Sequence, residues 1–295
     1  MAGETIDASL VTQFSDQVHV AAQQMKSNLR DAVIVKPMSG DIFAYDGLSS
    51  VEAVEMSGRH QPVTFSDIVH SRRKITRRRF TLALPIDASD VRGALVDPQS
   101  EYARACASAM ERVFDRVVVD AMFAAVLTGR DMGTSVTFAN DDGDTINATA
   151  GLTYAKLVEM TRLFLDDDIG TASPERMILG ISGDEHEDLM QEQELVSGDF
   201  SRQYAIDKGR MIQAAGYELK HFAGAATLPI LAVSGGTRDC FAMTPRAMCV
   251  GMSKEMSVKI EPRPDLTETV QVVIVFDLGA VRTEGKQIKK VQTTD

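Results

Sequence analysis

Tryptophan is absent from the sequence, and cysteine occurs only three times, as Cys106, Cys240 and Cys249. The spacing of these cysteines does not match that of metal ligands, so we interpret them as buried thiols in a reducing compartment. The longest uninterrupted apolar run, Val272 to Phe276, is too short to cross a bilayer. The N-terminal residues lack the basic and apolar regions of a secretion signal. These absences predict a protein that is made in the cytosol and has no membrane partner.

Positive charge is also scarce. The chain has 31 Lys and Arg residues against 42 Asp and Glu residues, which gives a net charge of −11. Contact with nucleic-acid phosphates needs clustered cations, so this charge balance argues against nucleic-acid binding by the whole protein surface. Apolar residues make up 44% of the chain and charged residues 25%, as is usual for soluble folded proteins. A length of 295 residues allows one large domain or two ordinary ones.

Only one stretch has the residue types of a catalytic cluster. Asp184–Asp188 places four carboxylates and His186 within five residues. Adjacent helix positions point in different directions, however, and acidic residues in a first helical turn suit the helix dipole. The sequence contains no His-Glu-x-x-His pair, no Gly-x-Ser-x-Gly motif and no phosphate-binding loop. We therefore expect no catalytic residue, metal site or cofactor, with a metal-dependent hydrolase built on Asp184–Asp188 as an alternative.

The stretch from Asp97 to Gly129 predicts one unusually long helix. Asp97 suits the N-cap, Pro98 suits the first helical position, and Gly129 suits the left-handed residue that often ends a helix. Apolar residues recur between these ends at spacings of three and four. The 31 residues from 98 to 128 span about 46 Å at 1.5 Å per residue. We expect this helix to back a long sheet that contains the strands near Val258 and Val270.

A second amphipathic helix is predicted over residues 8–31, with an apolar stripe that runs from Leu10 to Leu29. Such a stripe must be covered. Intramolecular packing and an N-terminal arm that lies on a neighbouring subunit are both compatible with the pattern. Short strands are predicted after it at Val33–Val35 and Ile42–Phe43.

The strongest charge feature is a run of six cations, which we call the basic cluster: Arg72, Arg73, Lys74, Arg77, Arg78 and Arg79. The cluster leads into Phe80–Leu84, whose alternation predicts a strand. We predict a long two-stranded ribbon with a basic end between Pro62 and Pro85. Such a cluster can be a nucleic-acid patch. The interpretation that we favour is a projecting arm that binds acidic surfaces of an identical neighbour, since aromatic residues for base stacking are nearly absent around it.

The rest of the chain predicts mixed helices and strands, an order typical of α+β proteins. An acidic Asp-Gly turn at residues 140–144 predicts a hairpin between its flanking segments, and turn chemistry explains it better than a Ca²⁺ loop. The other predicted elements are a helix capped by Thr153, a buried strand Met177–Ile181, a helix Arg210–Ala215, a strand Tyr217–Lys220, and strands at Cys240–Met243, Met248–Gly251 and Val270–Phe276.

Several of these features occur together in one order. They are the helical N-terminal segment, the basic ribbon Arg72–Phe80 ending near Pro85-Ile86-Asp87, the long helix 98–128, Gly151-Leu152-Thr153, Met177–Leu189, and Gly209-Arg210-Met211, Gly216-Tyr217-Glu218 and Leu228-Pro229. In this order the chain resembles the major capsid proteins of tailed bacteriophages, which have the HK97-type fold, and podovirus-type members most closely.

The resemblance implies an α+β fold with an N-terminal arm, an extended β-ribbon called the E-loop, a peripheral domain and an axial domain. The peripheral domain holds the long spine helix and a long sheet. The implied bounds are 1–45 for the arm, 46–90 for the E-loop, 91–150 for the peripheral domain, completed by about 254–280, and 151–253 for the axial domain, completed by about 281–295.

The resemblance also implies a virion protein that assembles in the host cytoplasm into pentamers and hexamers of an icosahedral capsid. Its partners would be further copies of itself, a portal protein and packaged double-stranded DNA in weak non-specific contact. The chain is shorter than family members with a fused scaffolding segment, so a separate scaffolding protein is expected. The basic cluster would be the E-loop's contact with acidic residues of a neighbour. An encapsulin-like nanocompartment, which encloses an enzyme, is the alternative.

Overall fold

The structure is a computed structural model of the chain. It describes residues 24, 26–49, 51, 53–55, 58, 65–86, 99–148, 150–171, 176–192, 195, 206–207, 210–224, 229–263 and 269–294. These residues form helices and sheets in the mixed order of an α+β protein.

The helices in the described part of the chain are α1 (Gln99–Phe123), α2 (Tyr154–Asp166) and α3 (Gly183–Gln191). The strands are β1 (Ile34–Pro37), β2 (Ile42–Leu48), β3 (His70–Thr76), β4 (Arg78–Ile86), β5 (Val126–Thr128), β6 (Thr134–Val136), β7 (Asp144–Ile146), β8 (Met177–Ile181), β9 (Ile206–Asp207), β10 (Arg210–Met211), β11 (Gln213–Ala214), β12 (Tyr217–His221), β13 (Val233–Ser234), β14 (Thr237–Met243), β15 (Met248–Arg263), β16 (Thr269–Arg282) and β17 (Ile288–Thr294).

The chain divides into two compact units. One comprises Met1–Ser27, Arg79–Val113 and Lys254–Asp277, and the other comprises Asn28–Arg78, Phe114–Ser253 and Leu278–Asp295. The division into an arm, an E-loop, a peripheral domain and an axial domain stays a prediction. Among the described residues, no helix combines the length and the apolar character that a membrane span needs.

The larger unit contains a seven-stranded sheet in the order β11-β12-β8-β14-β17-β7, with β13 paired to β14. Its centre is β8, which is parallel to β12 and antiparallel to β14. Ile178, Leu179 and Ile181 are fully buried, which confirms the predicted buried strand. A continuous apolar run suits this position because both faces of a central strand are covered. Helix α3 follows directly and begins with a capping box between Ser182 and Glu185.

A second sheet has the order β2-β3-β5-β6 and includes the ribbon. Strands β2 and β3 are antiparallel over seven residue pairs, from Ile42 opposite Thr76 to Leu48 opposite His70. The predicted ribbon between Pro62 and Pro85 is therefore corrected: its strands are Ile42–Leu48 and His70–Thr76. The reason is that β2 is longer than its apolar start suggested, and it reaches β3 through a long connection.

The third sheet has the order β1-β15-β16-β4 and contains the two longest strands. Strand β4 confirms the predicted strand at Phe80–Leu84, and β15 and β16 confirm those around Met248 and Val270. Strands β3 and β4 are separated only by Arg77, yet they belong to different sheets. The ribbon therefore continues directly into a strand of another sheet.

The long helix is confirmed, but its end is not where the sequence suggested. Helix α1 ends at Phe123, and Val126–Thr128 forms strand β5. Its 25 residues correspond to about 37 Å. Gly129 does have a left-handed conformation, with φ +94°, but it turns the chain between β5 and β6. Helical spacing continues past the true end because a three-residue strand is too short to break the pattern.

Two further predictions are wrong. The acidic turn at 140–144 does not join a hairpin, because β6 pairs with β5 while β7 pairs with β17. The predicted helix Arg210–Ala215 is replaced by β10 and β11. Ala215 and Gly216 both have positive φ, +48° and +88°, and Ala214 lies opposite Tyr217. Two left-handed residues between paired strands form the tight hairpin turn that matches strand twist.

The predicted N-terminal helix 8–31 lies mostly outside the described residues. Its described end forms no α-helix, and Arg30–Ala32 is a short 3-10 turn. Asp115 of α1 accepts hydrogen bonds from the backbone N–H groups of Asn28, at 2.9 Å, and Leu29, at 3.2 Å. This buried carboxylate takes the place of the helical hydrogen bonds that those N–H groups would otherwise make.

Candidate interaction surface

The basic cluster is split by the alternation of the extended chain. Successive side chains of a strand point to opposite faces. Arg73 and Ile75 of β3 are buried, whereas Arg72 and Thr76 are exposed. The six cations are close in sequence, but their side chains do not form one positive patch.

Arg73 is held inside the protein by Asp141. Its two terminal nitrogens each lie 2.7 Å from a carboxylate oxygen, in the bidentate geometry of a strong arginine–carboxylate pair. Arg282 donates to the same carboxylate from Nε at 2.7 Å. Burial opposes ionisation of Asp141, but the hydrogen bonds from both guanidinium groups prevail and hold its pKa below the usual value. We call Arg73, Asp141 and Arg282 the buried ion cluster.

Arg282 also ends the long helix. Its side chain is fully buried and donates to the backbone carbonyls of Met122, at 3.3 Å, and Ala124. A further hydrogen bond of 3.1 Å reaches the carbonyl of Val136 in β6. The last carbonyls of a helix have no partners within the helix, and a cation is favoured there by the helix dipole. Sequence reasoning missed Arg282, because nothing in its neighbourhood marks it as a helix cap 160 residues away.

Three other arginines of the basic cluster bind carboxylates of their own chain. Arg72 pairs with Asp46 on the neighbouring strand at 2.7 Å, Arg77 with Asp41 at 2.5 Å, and Arg79 with Asp277 at 2.9 Å. The side chain of Asp277 is only 3% exposed, whereas Asp46 and Asp41 are largely exposed. The exposed pairs Arg72–Asp46 and Arg77–Asp41 are screened by solvent, so they orient the ribbon more than they stabilise it.

The remaining two cations, Lys74 and Arg78, line one pocket of about 230 Å³. Thr76 lies between them in the sequence and lines the pocket too, as expected for alternate residues of an extended chain. The rest of the lining comes from the last two turns of α1, the segment that follows it, and β16. The other lining residues are Val117, Asp120, Ala121, Ala124, Ala125, Val126, Leu127, Ala280 and Val281.

The connection between β2 and β3 carries most of the exposed large apolar side chains near the ribbon. We call the described residues of this connection and its ends, 48–49, 51, 53–55, 58 and 65–69, the ribbon tip. Phe65 is 91% exposed, and the other large exposed side chains of the tip are Leu48, Val51, Val54, Ile68 and Val69. Exposed apolar residues that are scattered need no explanation, but several within one short segment mark an interaction surface. The sequence analysis did not identify this feature, because exposure cannot be read from residue type.

The acidic stretch Asp184–Asp188 serves the fold at the start of α3. Glu185 is 1% exposed and accepts hydrogen bonds from the backbone N–H of Ser182, at 2.9 Å, and the hydroxyl of Thr293, at 2.8 Å. Arg238 lies 3.5 Å from the same carboxylate. A buried carboxylate with these partners is a structural link between α3, β14 and β17.

The other members of this stretch point to different partners. Asp184 pairs with Arg238 at 2.8 Å, and Asp188 accepts a hydrogen bond of 2.8 Å from the backbone N–H of Leu152. Within the described residues, no group of three or more His, Cys, Asp or Glu side chains is arranged to hold a metal ion. Asp184 and Asp188 thus bind different partners on different sides of α3's first turns.

His186 packs against a histidine that is distant in sequence. The ring centroids of His186 and His221 are 4.8 Å apart, edge to face. Burial lowers the pKa of both imidazoles, and the nearby guanidinium of Arg210 lowers it further in each. His186 Nδ1 is buried without a hydrogen-bond partner in the described part of the chain. The pair is therefore suited to the neutral form, and nothing in the sequence could have placed these two residues together.

Comparison with known proteins gives a consistent result. The model of the family described as phage capsid protein matches residues 6–295. A search of curated protein sequences gives no significant match.

Many solved structures are similar in fold, and capsid structures are prominent among them. The capsid of cyanophage P-SCSP1u has 14% identity and a TM-score of 0.74, over 99% of this chain and 95% of that chain. The cyanophage Pam1 capsid has 13% identity and a TM-score of 0.71, over 100% of this chain and 99% of that chain. The head of Helicobacter pylori bacteriophage KHP40 has 10% identity and a TM-score of 0.71, over 99% and 97%.

The buried ion cluster generates a first prediction. Arg282→Met removes the guanidinium that neutralises Asp141 and caps α1, and should lower the free energy of unfolding by about 3–5 kcal/mol. Arg72→Met removes a solvent-exposed pair with a carboxylate and should change the free energy of unfolding much less. Urea denaturation of the purified variants measures both. Equal losses in the two variants would contradict the assignment, and Asp141→Asn provides an independent test if Arg282→Met does not fold.

The histidine pair generates a second prediction. Because the pKa of each imidazole is lowered on folding, the unfolded chain binds protons more readily, so stability is full above about pH 6.5 and falls below it. Denaturation midpoints measured from pH 7.5 to pH 5.5 should fall in the parent protein and fall less in His186→Phe. The exposed His70 supplies the control His70→Phe. A pH dependence in His186→Phe equal to that of the parent protein would show that the histidine pair does not cause the loss of stability below pH 6.5.

Proposed function

The chain belongs to the phage capsid protein family and has the HK97-type fold, and we propose that it forms an icosahedral shell of pentamers and hexamers around double-stranded DNA. As a capsid protein it assembles with copies of itself, and it is a component of the virion. The proposal extends this to the shell's symmetry and contents.

The contacts of the residues that could have served catalysis are consistent with a structural role. The carboxylates of Asp184–Asp188 cap a helix, bind Arg238 and hold the backbone of Leu152. The three cysteines are free and buried, and burial raises the pKa of Cys249 to about 11 and that of Cys240 as well. Thiols in this state are poor nucleophiles. These observations support a protein that acts through its surfaces.

The observation that carries the proposal is the exposed apolar ribbon tip. Phe65, Val54 and Val69 are 91%, 67% and 66% exposed. Fully burying one such side chain is worth about 1.5–3 kcal/mol, so an uncovered tip is unfavourable in water. A shell subunit has a ready cover, because each copy is surrounded by others. We propose that the tip is buried against a neighbouring copy on assembly.

We propose that the basic cluster both orients the ribbon and takes part in the contact between subunits. Arg72, Arg73 and Arg77 would fix the direction of the ribbon through carboxylates of their own chain. The cluster as a whole, Lys74 and Arg78 included, would also meet acidic groups of the neighbour. Ion pairs at such contacts select register and partner more than they add affinity.

The remaining proposals follow from the family. Assembly would take place in the host cytoplasm with a separate scaffolding protein and a portal protein, and packaged DNA would touch the shell weakly. The domain bounds 1–45, 46–90, 91–150 with 254–280, and 151–253 with 281–295 belong to the same proposal. The net charge of −11 is consistent with weak contact, since an acidic wall repels phosphate.

The third prediction tests whether the ribbon tip is buried between copies of the chain. Phe65→Asp and Ile68→Asp should give folded subunits with an assembly yield at least tenfold lower, because a charge replaces an apolar contact between copies. Electron microscopy and size-exclusion chromatography of the expressed full chain measure the yield. Val158→Asp, at a site on α2 that is 48% exposed, is the matched control and should assemble normally.

The same particles test the broader proposal. Closed shells from the parent chain would support it, and rings or monomers under all conditions would overturn it. Normal shells from Phe65→Asp and Ile68→Asp would overturn the role of the ribbon tip alone. Nuclease-protected DNA inside particles produced during infection would distinguish a viral capsid from a shell around an enzyme.

A further inference from the structure

We propose that the cavity lined by β10 and β12 binds a doubly charged oxyanion of the phosphate or sulfate class, held by Arg210 and His221. The site lies within one copy of the chain, so it goes beyond the proposed shell function and does not depend on it. It is supported by the residues that line the cavity, by the partners that these residues already have, and by the charges that remain.

The cavity has a volume of about 370 Å³, within the roughly 300–1,000 Å³ of small-molecule sites. Met211 is fully buried and Leu219 is 5% exposed, so part of the lining is apolar. Three lining residues are basic, and none of the lining residues that the structure describes is Asp or Glu. The lining residues are Asn28, Arg210, Met211, Ile212, Leu219, Lys220 and His221. A lining with basic and without acidic side chains favours an anion.

Two of the basic lining residues differ in the partners that they already have. Lys220 pairs with Glu218 at 3.1 Å and with Asp31 at 3.6 Å, so its charge is already balanced. Arg210 is exposed and forms no ion pair with any side chain that the structure describes. Its backbone stands opposite that of Asp207 in the β9–β10 ladder. Because a guanidinium presents a planar fork of donors that matches an oxyanion, Arg210 is the first cation of the proposed site.

The imidazole of His221 supplies the second charge when it is protonated. Its Nε2 lies 3.2 Å from the backbone carbonyl of Met211 and donates to it, so Nδ1 takes up the proton that charges the ring. The side-chain amide of Asn28 donates to the backbone carbonyl of His221 at 2.8 Å and holds the strand beside the cavity. Burial lowers the pKa of His221 most, and His186 and Arg210 lower it further. A bound anion would offset the repulsion from Arg210.

Anion binding and protonation of His221 therefore strengthen each other. A negative charge near an imidazole favours its protonated form, so a bound oxyanion raises the pKa of His221. By linkage, protonation raises the affinity for the anion by the same factor. The affinity is highest at acid pH and falls as the pH rises through the pKa of His221 in the complex. His186 does not contribute a charge, because its Nδ1 is buried without a hydrogen-bond partner in the described part of the chain.

The charge count selects a dianion. Arg210 and a protonated His221 together carry two positive charges. A sulfate or phosphate dianion matches both charges and has enough oxygens to accept from the guanidinium and from Nδ1 at once. A carboxylate carries one negative charge and leaves one cation of the site uncompensated.

The fourth prediction uses sulfate as the probe, because sulfate stays doubly charged across the pH range. Urea denaturation midpoints of the full chain are measured at pH 5.5 and pH 7.5, in about 10 mM sodium sulfate and in sodium chloride of equal ionic strength. Sulfate should raise the midpoint, because it binds the folded chain and not the unfolded one. The affinity derived from this rise should be about fivefold or more higher at pH 5.5 than at pH 7.5.

Three variants assign the effect to the site. Arg210→Gln should abolish the rise at both pH values, and His221→Gln should remove the extra rise at pH 5.5. Arg162→Gln changes a 61% exposed arginine of α2, away from the cavity lining, and should respond as the parent does. Equal rises in the parent and in Arg210→Gln would overturn the site, since sulfate that is merely excluded from protein surfaces stabilises every folded chain alike.

The residue opposite Arg210 provides an independent test. Asp207→Asn removes a negative charge from the β9–β10 ladder, so it should bind sulfate at least as tightly as the parent. Loss of sulfate binding in Asp207→Asn would show that the ladder, and not the charge of Arg210, determines the effect, and would overturn the assignment.

Other anions define the ligand class at pH 7.5. Inorganic phosphate should act as sulfate does, and a nucleoside monophosphate tests whether the phosphate can be part of a nucleotide. A rise with phosphate alone identifies a free oxyanion, and a larger rise with the nucleotide identifies a nucleotide phosphate; both support the site when Arg210→Gln abolishes them. Acetate as effective as sulfate would overturn the selection of a dianion.

Discussion

The burial of the Arg282 guanidinium is the constraint on which the larger unit depends. A charge taken out of water costs several kcal/mol unless it is paired and hydrogen-bonded. Here the partners are the carboxylate of Asp141 and the carbonyls of Met122, Ala124 and Val136. The end of α1, strand β6 and the loop before β7 are therefore fixed by one side chain. Because Arg73 shares the same carboxylate, the ribbon is fixed with them.

The same solution recurs on β17, where Lys289 is fully buried between Asp144 and Asp167. Its ammonium also lies 5.5 Å from the ring centre of Phe164. Asp141 and Asp144 come from one acidic turn, so a single short loop neutralises both buried cations. The turn does not join a hairpin, because β6 pairs with β5 in one sheet and β7 pairs with β17, which carries Lys289, in another. A chain with net charge −11 has more carboxylates than cations, so several can neutralise buried cations.

Local pattern predicted the elements that are fixed locally. The continuous apolar run of β8, the start of α2 at Thr153 and the presence of one long helix at α1 could all be predicted, because burial and helical spacing leave a direct trace in the sequence. Pairing between distant residues leaves none. Arg282 as a helix cap, His186 against His221, and the ribbon's own strand partner are products of the tertiary fold. The basic cluster could be recognised in the sequence, but its division between two strand faces could not. The ribbon tip was missed because residue types alone do not show which apolar side chains are exposed to solvent.

The internal pairing of the basic cluster bears on how an acidic subunit can assemble. Copies with a net charge of −11 repel one another, and this repulsion is screened beyond about 8 Å at physiological ionic strength. Cations already bound to their own chain do little to offset it. Attraction must then come from short-range apolar contact, which salt does not weaken. Charge repulsion between copies is thus confined to short range, where apolar contact through the ribbon tip must outweigh it.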